Sequence, residues 1–250
     1  MTRPRDRSDR LAIGGRRAAL EAIRAGRAAS VLVAHSSRGT RGLHELLDEA
    51  ERAGASVRWV DRRELETMGL RDHQGVAVLI PAIREMDERA MVRMDFGRDA
   101  LAVVLDGITD PQNLGACGRA AEAAGASLLL ARRRRAAPLS PAAVRASAGA
   151  LTHLPVARVP NLTRAIGHLK DKGFSVVGLD HRATMTIHEA PVPERPLALV
   201  VGSEDRGISR LVGETCDLTV AIPMAGRTAS LNAASALAVG LFGYALRPSP

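Results

Sequence analysis

The chain has 250 residues, with 35 Lys+Arg against 27 Asp+Glu for a formal charge of +8. That balance suits a polyanionic partner whose neutralised phosphates release counterions, although a GC-rich genome also enriches Arg, Ala and Gly. Two cysteines exclude a disulfide framework and fit a reducing, cytoplasmic compartment, few aromatics argue against base-stacking platforms, and no apolar run is long enough to span a membrane.

The opening MTRPRDRSDR is charged with no apolar segment after it, so a disordered basic arm is expected over 1–10, free to touch a polyanion such as RNA, and not a secretory signal. RRAALEAIRAG then predicts a helix stopped at Gly26, SVLVA a strand from Ser30 to Ala34, and GLHELLDEAERAG an amphipathic helix. SVRWVD predicts a strand, RRELETMG a short helix with Asp61 and Glu64 placed for a capping box, and GVAVLIP a strand from Gly75 to Pro81. Together they make a compact βα unit over 11–84. AIREMDERAMVRMDFGRDA is charged and weakly periodic, and predicts a linker over 85–98 with some helix.

From Leu101 the pattern restarts, with strands at LAVVLD, SLLLA, FSVVGLD, LALVVG and LTVAIP. Helices fall between them at Leu114 to Ala124, Ser140 to Ala150, Leu162 to Lys172 and Ile208 to Glu214, with a last one after Asn232. Continuous Val/Leu/Ile runs imply strands covered on both faces, hence a largely parallel sheet in a second α/β domain over 99–247.

Three turns fall at strand ends, where open α/β sheets bind ligands. In DGITDPQNLGACGR, Asn113 stands before the helix as a cap and Arg119 lies six residues further inside it. In LALVVGSEDRGIS, Gly202 allows close backbone approach and Glu204 occupies the turn. In AIPMAGRTASLNAASALAVGLFGY, Ser230 and Asn232 stand at the mouth of an apolar small-residue helix that Ser230 can cap. Taken singly, each residue is better read as a cap, a dipole charge or a surface charge than as a functional group. The absence of G-x-G-x-x-G opposes a dinucleotide-binding oxidoreductase. The seven histidines show no metal-ligand spacing, so no metal is expected, and Cys117 reads as small core packing.

In this order, NLGACGR with Asn113 and Arg119, GSEDRG with Glu204, and IPMAGRTASLN with Ser230 and Asn232 resemble the SpoU class (SPOUT superfamily) of RNA ribose 2′-O-methyltransferases. The fuller LDGITDPQNLGACGRAAEAAG, with HQGVAV upstream, is most similar to the branch that methylates a guanosine of 23S ribosomal RNA; Arg16 and Arg17 depart from that branch's usual pair. The resemblance implies a trefoil-knotted C-terminal domain, which the general avoidance of knots would not suggest, preceded by an L30-like RNA-binding domain. It implies S-adenosylmethionine as cofactor, held at Gly202, Ile222, Met224 and Leu231, and catalysis by Arg119 with Asn113, Glu204, Ser230 and Asn232. It also implies a homodimer through the knotted domain, to which Leu237, Val239, Leu241 and Phe242 contribute. The substrate would be ribosomal RNA, with transfer RNA the alternative, and a phosphate-tracking patch is expected at Arg132, Arg133, Arg134 and Arg135 with Arg145, ahead of Arg62 and Arg63. The rival from another class is a catalytically silent RNA-binding assembly protein on the same scaffold.

Overall fold

The computed structural model describes residues 10–246 apart from 25, 27, 71, 82, 84 and 229, so the expected basic arm lies, except for Arg10, outside the described residues. Arg10 itself opens a strand that the sequence reading lacked. The first unit runs β1 (Arg10–Gly14), α1 (Arg16–Arg24), β2 (Ser30–Ala34), α2 (Leu43–Arg52), β3 (Ser56–Val60), α3 (Arg62–Thr67) and β4 (Val76–Pro81). Its sheet order is β1-β4-β2-β3, with β4 antiparallel to both neighbours and β2 parallel to β3. β2 is buried along its whole length because helices cover both faces, which is why SVLVA reads as an unbroken apolar run. α1 buries Ala19 and Ile23, and α2 buries Leu43, Leu46 and Ala50, each along one helical stripe. The capping box does not form. Asp61 precedes α3 but its side chain accepts no bond from the helix, and Glu64 pairs instead with Arg58 at 2.6 Å.

The segment after β4 is tied down, not loose. Met86 exchanges backbone bonds with the second unit, its N–H donating to Val156 O at 2.9 Å and its carbonyl accepting from Arg158 N at 2.9 Å. α4 (Glu88–Val92), capped by Asp87 accepting from Ala90 N, buries Met91 in the second unit's core.

The second unit contains β5 (Leu101–Asp106), α5 (Pro111–Ala123), β6 (Leu128–Arg132), α6 (Pro141–Ala146), β7 (Val156–Val159), α7 (Leu162–Asp171), β8 (Ser175–Leu179), β9 (Leu197–Gly202), α8 (Arg210–Gly213), β10 (Leu218–Val220) and α9 (Ala233–Gly240). Its strands form one parallel sheet in the order β10-β8-β9-β5-β6-β7. α5, α6 and α9 cover one face and α4, α7 and α8 the other. β7 was absent from the sequence reading because VARV is short and carries a charge. That charge, Arg158, is buried; its Nη2 donates to Ala137 O at 2.5 Å and its Nε lies 3.6 Å from Glu85.

The capping or termination of α5, α6 and α9 differs from expectation. α5 begins at Pro111, because Asp110 accepts from Gln112 N at 2.9 Å and proline suits the first helical position; Asn113 is therefore not its cap. α6 stops at Ala146, before Gly149 at φ +86° and a short 3₁₀ turn. α9 is capped by Asn232, whose Oδ1 accepts from Ala234 N and Ser235 N, and not by Ser230. Leu237 and Leu241, expected at a dimer contact, are fully buried in the unit's own core, whereas Val239 and Phe242 are exposed.

The small residues of NLGACGR have a packing cause. A Cβ at Gly115 would press on the Ala143 carbonyl and the Ala146 methyl, and one at Gly118 would sit 2.5 Å from Leu151 Cδ2. α5 and the 141–152 segment thus meet nearly backbone to backbone. The first unit joins this arrangement through Val144 of α6, buried in the core that holds Ile13 and Ile80, a contact of the kind that contributes about 1.5–3 kcal/mol.

Candidate active site

The three sequence motifs converge at the C-terminal ends of the parallel strands. The loop after β9 carries Glu204 towards the first turn of α5, and the segment after β10 delivers Asn232 to the same place. Asn113 Nδ2 donates to Glu204 Oε1 at 3.0 Å, Asn232 Nδ2 donates to the same oxygen at 2.5 Å and to Asn113 Oδ1 at 2.9 Å. Asn232 Oδ1 is meanwhile occupied by the α9 backbone, at 2.9 Å from Ala234 N. Both amides therefore have their orientation fixed by what each end must bond. Residues 91 and 119 positions apart in the chain share one hydrogen-bonded cluster.

Beside the cluster lies a cleft of about 60 Å³ that opens to solvent. Gly202, Ile222, Met224 and Leu231 all line it, with Glu204 and Ser230. Gly202 is required there: a Cβ would collide with the backbone of Gly207 and Ile208, so the loop after β9 folds flat onto its own strand end. The sequence reading missed Asp180 and His181, which follow β8 and also line the cleft. Arg182 clamps this wall. It donates from Nε to Asp180 Oδ1 at 2.9 Å and from Nη2 to Asp180 Oδ2 at 2.6 Å and Ile208 O at 2.8 Å. Burial pushes the Asp180 carboxyl up, but the hydrogen bonds and charge of Arg182 outweigh it and hold the group below its ordinary value.

Arg119 stands apart from the cluster. Six residues beyond Asn113 it lies about 240° around α5 at 3.6 residues per turn, exposed and with no hydrogen bond or ion pair among the described residues. Cys117, between them, is buried, and that burial raises its thiol pKa to about 12, so it serves packing and not nucleophilic chemistry.

The arginine run does not act as one patch. Arg132 pairs with the buried Asp106 at 3.2 Å, and Arg133 reaches back to Arg158 O at 3.4 Å. Arg134 and Arg135 are exposed, the latter with φ +55°. Arg145 is elsewhere, on α6 beside a cavity shared with the first unit. No helix among the described residues is long and apolar enough to cross a membrane.

A family model described as the SpoU rRNA methylase family matches residues 100–242, and one described as RNA 2′-O ribose methyltransferase substrate binding matches residues 12–86. A putative TrmH family tRNA/rRNA methyltransferase of Bacillus subtilis, YacO, is 38% identical over 202 residues, 80% of each chain. An uncharacterized tRNA/rRNA methyltransferase of Mycobacterium avium is 41% identical over 230 residues, covering 91% of this chain and 74% of the relative. Among solved structures, the SpoU methyltransferase AviRb from Streptomyces viridochromogenes, in complex with AdoMet, superposes with a TM-score of 0.73 at 26% identity, covering 94% of this chain and 89% of that one. The convergence of the three motifs on one cleft and the match across both units lead to the same place: this chain belongs to the SpoU rRNA methylase family and is an RNA 2′-O-ribose methyltransferase.

Proposed function

We propose that this chain uses S-adenosylmethionine to methylate a ribose 2′-hydroxyl of ribosomal RNA, at a guanosine of the 23S molecule, and that it works as a homodimer through a trefoil-knotted C-terminal domain. The observation that carries the reading is the Asn113–Glu204–Asn232 cluster beside the glycine-floored cleft. The residues fit the cofactor. Gly202, Ile222 and Leu231 offer a narrow wall of backbone and aliphatic surface, where a side chain at position 202 has no room. When bound, S-adenosylmethionine supplies an activated methyl group on a sulfonium.

The chain's own groups then have separable work. Glu204, fixed by two amides, holds its loop at the cleft's rim and keeps an acceptor facing the site. Asn232 joins that rim to the start of α9, and Ser230 presents a hydroxyl at the mouth. Arg119 carries a fork of donors that no acceptor among the described residues occupies. A guanidinium keeps its proton in proteins, so its part is to grip an RNA phosphate, orient the hydroxyl and stabilise charge as it develops on that oxygen. Exposed Val239 and Phe242 on the last helical segment support the dimer contact.

Transfer of labelled methyl from S-adenosylmethionine to unmodified 23S ribosomal RNA tests this. Label resistant to alkali at one internucleotide bond is expected. Label found only on transfer RNA would move the substrate, an arm worth including because the curated relatives are named tRNA/rRNA methyltransferases. No label on either RNA, with S-adenosylmethionine bound, would favour a silent RNA-binding protein.

A further inference from the structure

The first unit meets the second along two segments. One is the covalent linker, where Ile83 packs against the cores of both units and Met86 runs parallel to β7. The other is α6, whose Val144 is buried in the core that holds Ile13 and Ile80. That second contact is not close-packed. A cavity of about 20 Å³ remains between Ala18 and Ala22 of α1 and Val144 and Ala148.

One side chain holds both segments. Arg158, on β7, is buried; its Nη2 donates to Ala137 O at 2.5 Å, just ahead of the Ser140 cap of α6. Its Nε lies 3.6 Å from Glu85 Oε1, in the linker. Ala137 in turn donates its N–H to Ile108 O at 2.8 Å, in the turn that leads to Asp110 and α5. The guanidinium thus joins the linker to the run into α6, and through Ala137 it braces the loop ahead of Asn113.

Stability alone does not account for an arginine at this position. Nε and Nη1 are buried with no hydrogen bond among the described residues. Burial pulls the pKa of the guanidinium down, and the Glu85 carboxylate opposes the fall. A buried charge with unmet donors is costly, and apolar side chains of similar volume in such places are often neutral or stabilising. What an apolar side chain cannot supply is a polar hold on two segments at once.

We infer that Arg158 is a positioning residue: it fixes the first unit against the second, and so sets where RNA held on the first unit meets the cleft. Arg158 does not itself line that cleft. The hold stands on the geometry, and its consequence for RNA rests on the reading that RNA is methylated at the cleft.

Arg158→Met and Glu85→Ala, singly and together, test this by hydrogen exchange, S-adenosylmethionine calorimetry and steady-state methyl transfer to a 23S ribosomal RNA transcript. In Arg158→Met, amide exchange at Met86 and along α6 is expected to speed up about tenfold, with α7 on the opposite face of the sheet unchanged. KM for RNA is expected to rise about tenfold, with cofactor affinity and kcat at saturating RNA kept. Glu85→Ala, at a solvent-exposed residue, is expected to act in the same direction about threefold, and decides the matter should Arg158→Met fail to fold. The double variant is expected to match Arg158→Met alone, since Glu85 then has no guanidinium to meet. Wild-type exchange rates in both single variants would overturn the hold. Faster exchange with an unchanged KM for RNA would overturn the positioning role, and additive effects in the double variant would overturn the shared contact. Parallel losses of cofactor affinity and kcat would assign Arg158 to the stability of the second unit and overturn the inference as well. A wild-type protein that methylates no RNA, with exchange as expected, would confirm the hold and overturn its consequence for RNA.

Discussion

Asn232→Asp separates the two tasks of one side chain. The acceptors that cap α9, bonded to Ala234 N at 2.9 Å and Ser235 N at 3.4 Å, survive the change, and a negative charge at a helix N-terminus adds about 0.3–1 kcal/mol of stability. The donors to Glu204 and Asn113 do not survive. In their place a carboxylate faces Glu204 Oε1, with which the native amide makes a 2.5 Å bond. Two unit charges about 4 Å apart repel by about 4 kcal/mol at an effective dielectric of 20 and by about 1 kcal/mol in water. The cluster is exposed, so screening favours the lower end, and a net loss of about 1–2 kcal/mol is expected near neutral pH. Repulsion raises the pKa of the new carboxylate in the folded protein. The penalty is therefore present above that raised value and relieved as pH falls through it, when a proton returns a donor to the cluster. Asn232→Ala, by contrast, loses the cap at about 0.5–2 kcal/mol with no pH dependence of its own. Urea unfolding and S-adenosylmethionine calorimetry at about pH 8 and pH 5.5 distinguish them. Equal pH profiles for the two variants would refute the assignment of the Nδ2 bonds to Glu204.

Arg119→Ala is expected to lower methyl transfer about a hundredfold while unfolding stability changes by less than about 0.5 kcal/mol; a large stability loss would mean the side chain has a structural partner. Gly115→Ala is expected to destabilise by about 1–3 kcal/mol in denaturant titrations, since its Cβ meets the Ala143 carbonyl, and Gly118→Ala by less because Leu151 can turn aside. Val239→Asp with Phe242→Asp is expected to shift sedimentation from dimer to monomer at micromolar concentration without unfolding the chain, because both side chains are exposed. The Asp180 carboxyl is held below its ordinary 3.8, so the stability it draws from Arg182 is complete above that value and lost as pH falls through the folded one. The difference in thermal stability between wild type and Arg182→Gln is thus expected to stay constant from about pH 8 to pH 5 and to shrink below. A difference unchanged in strong acid would place the role of Arg182 on the Ile208 carbonyl alone.

What the sequence made legible follows from burial. β5 and β9 are covered on both faces, so LAVVLD and LALVVG announce themselves with their boundaries correct. β1 and β7 hid for opposite reasons: RLAIG is half exposed and short, while VARV is fully buried but holds a charge whose partners among the described residues, Ala137 O and Glu85, lie far off in the chain. Asn113 shows the same limit at the site. Its position before an apolar helix reads as a cap, and only the structure reveals that Asp110 takes that task and frees the amide for Glu204. Arg182 and Ser209 were illegible because the Arg182 bond to Ile208 O and the Ser209 N bond to Asp106 join segments far apart in the chain, and Asp180 was missed because its part at the cleft depends on that Arg182 clamp.

The arginine run carries the same lesson into function. Four consecutive arginines read as one solvated, phosphate-tracking face, yet a strand end sends alternate side chains in opposite directions. Arg132, the last residue of β6, turns to the buried Asp106, and Arg133 turns to the carbonyl of Arg158. A charge paired with a buried carboxylate is held in one place, and a guanidinium so held can select a phosphate position where a mobile one supplies only attraction. Asp106 lies opposite Gly202 in the register of β5 and β9, so the residue that fixes Arg132 and Ser209 neighbours the glycine that lets the cleft's loop fold flat. One pair of adjacent strand ends therefore carries both the anchor of Arg132 and Ser209 and the glycine on which the cleft's loop closes.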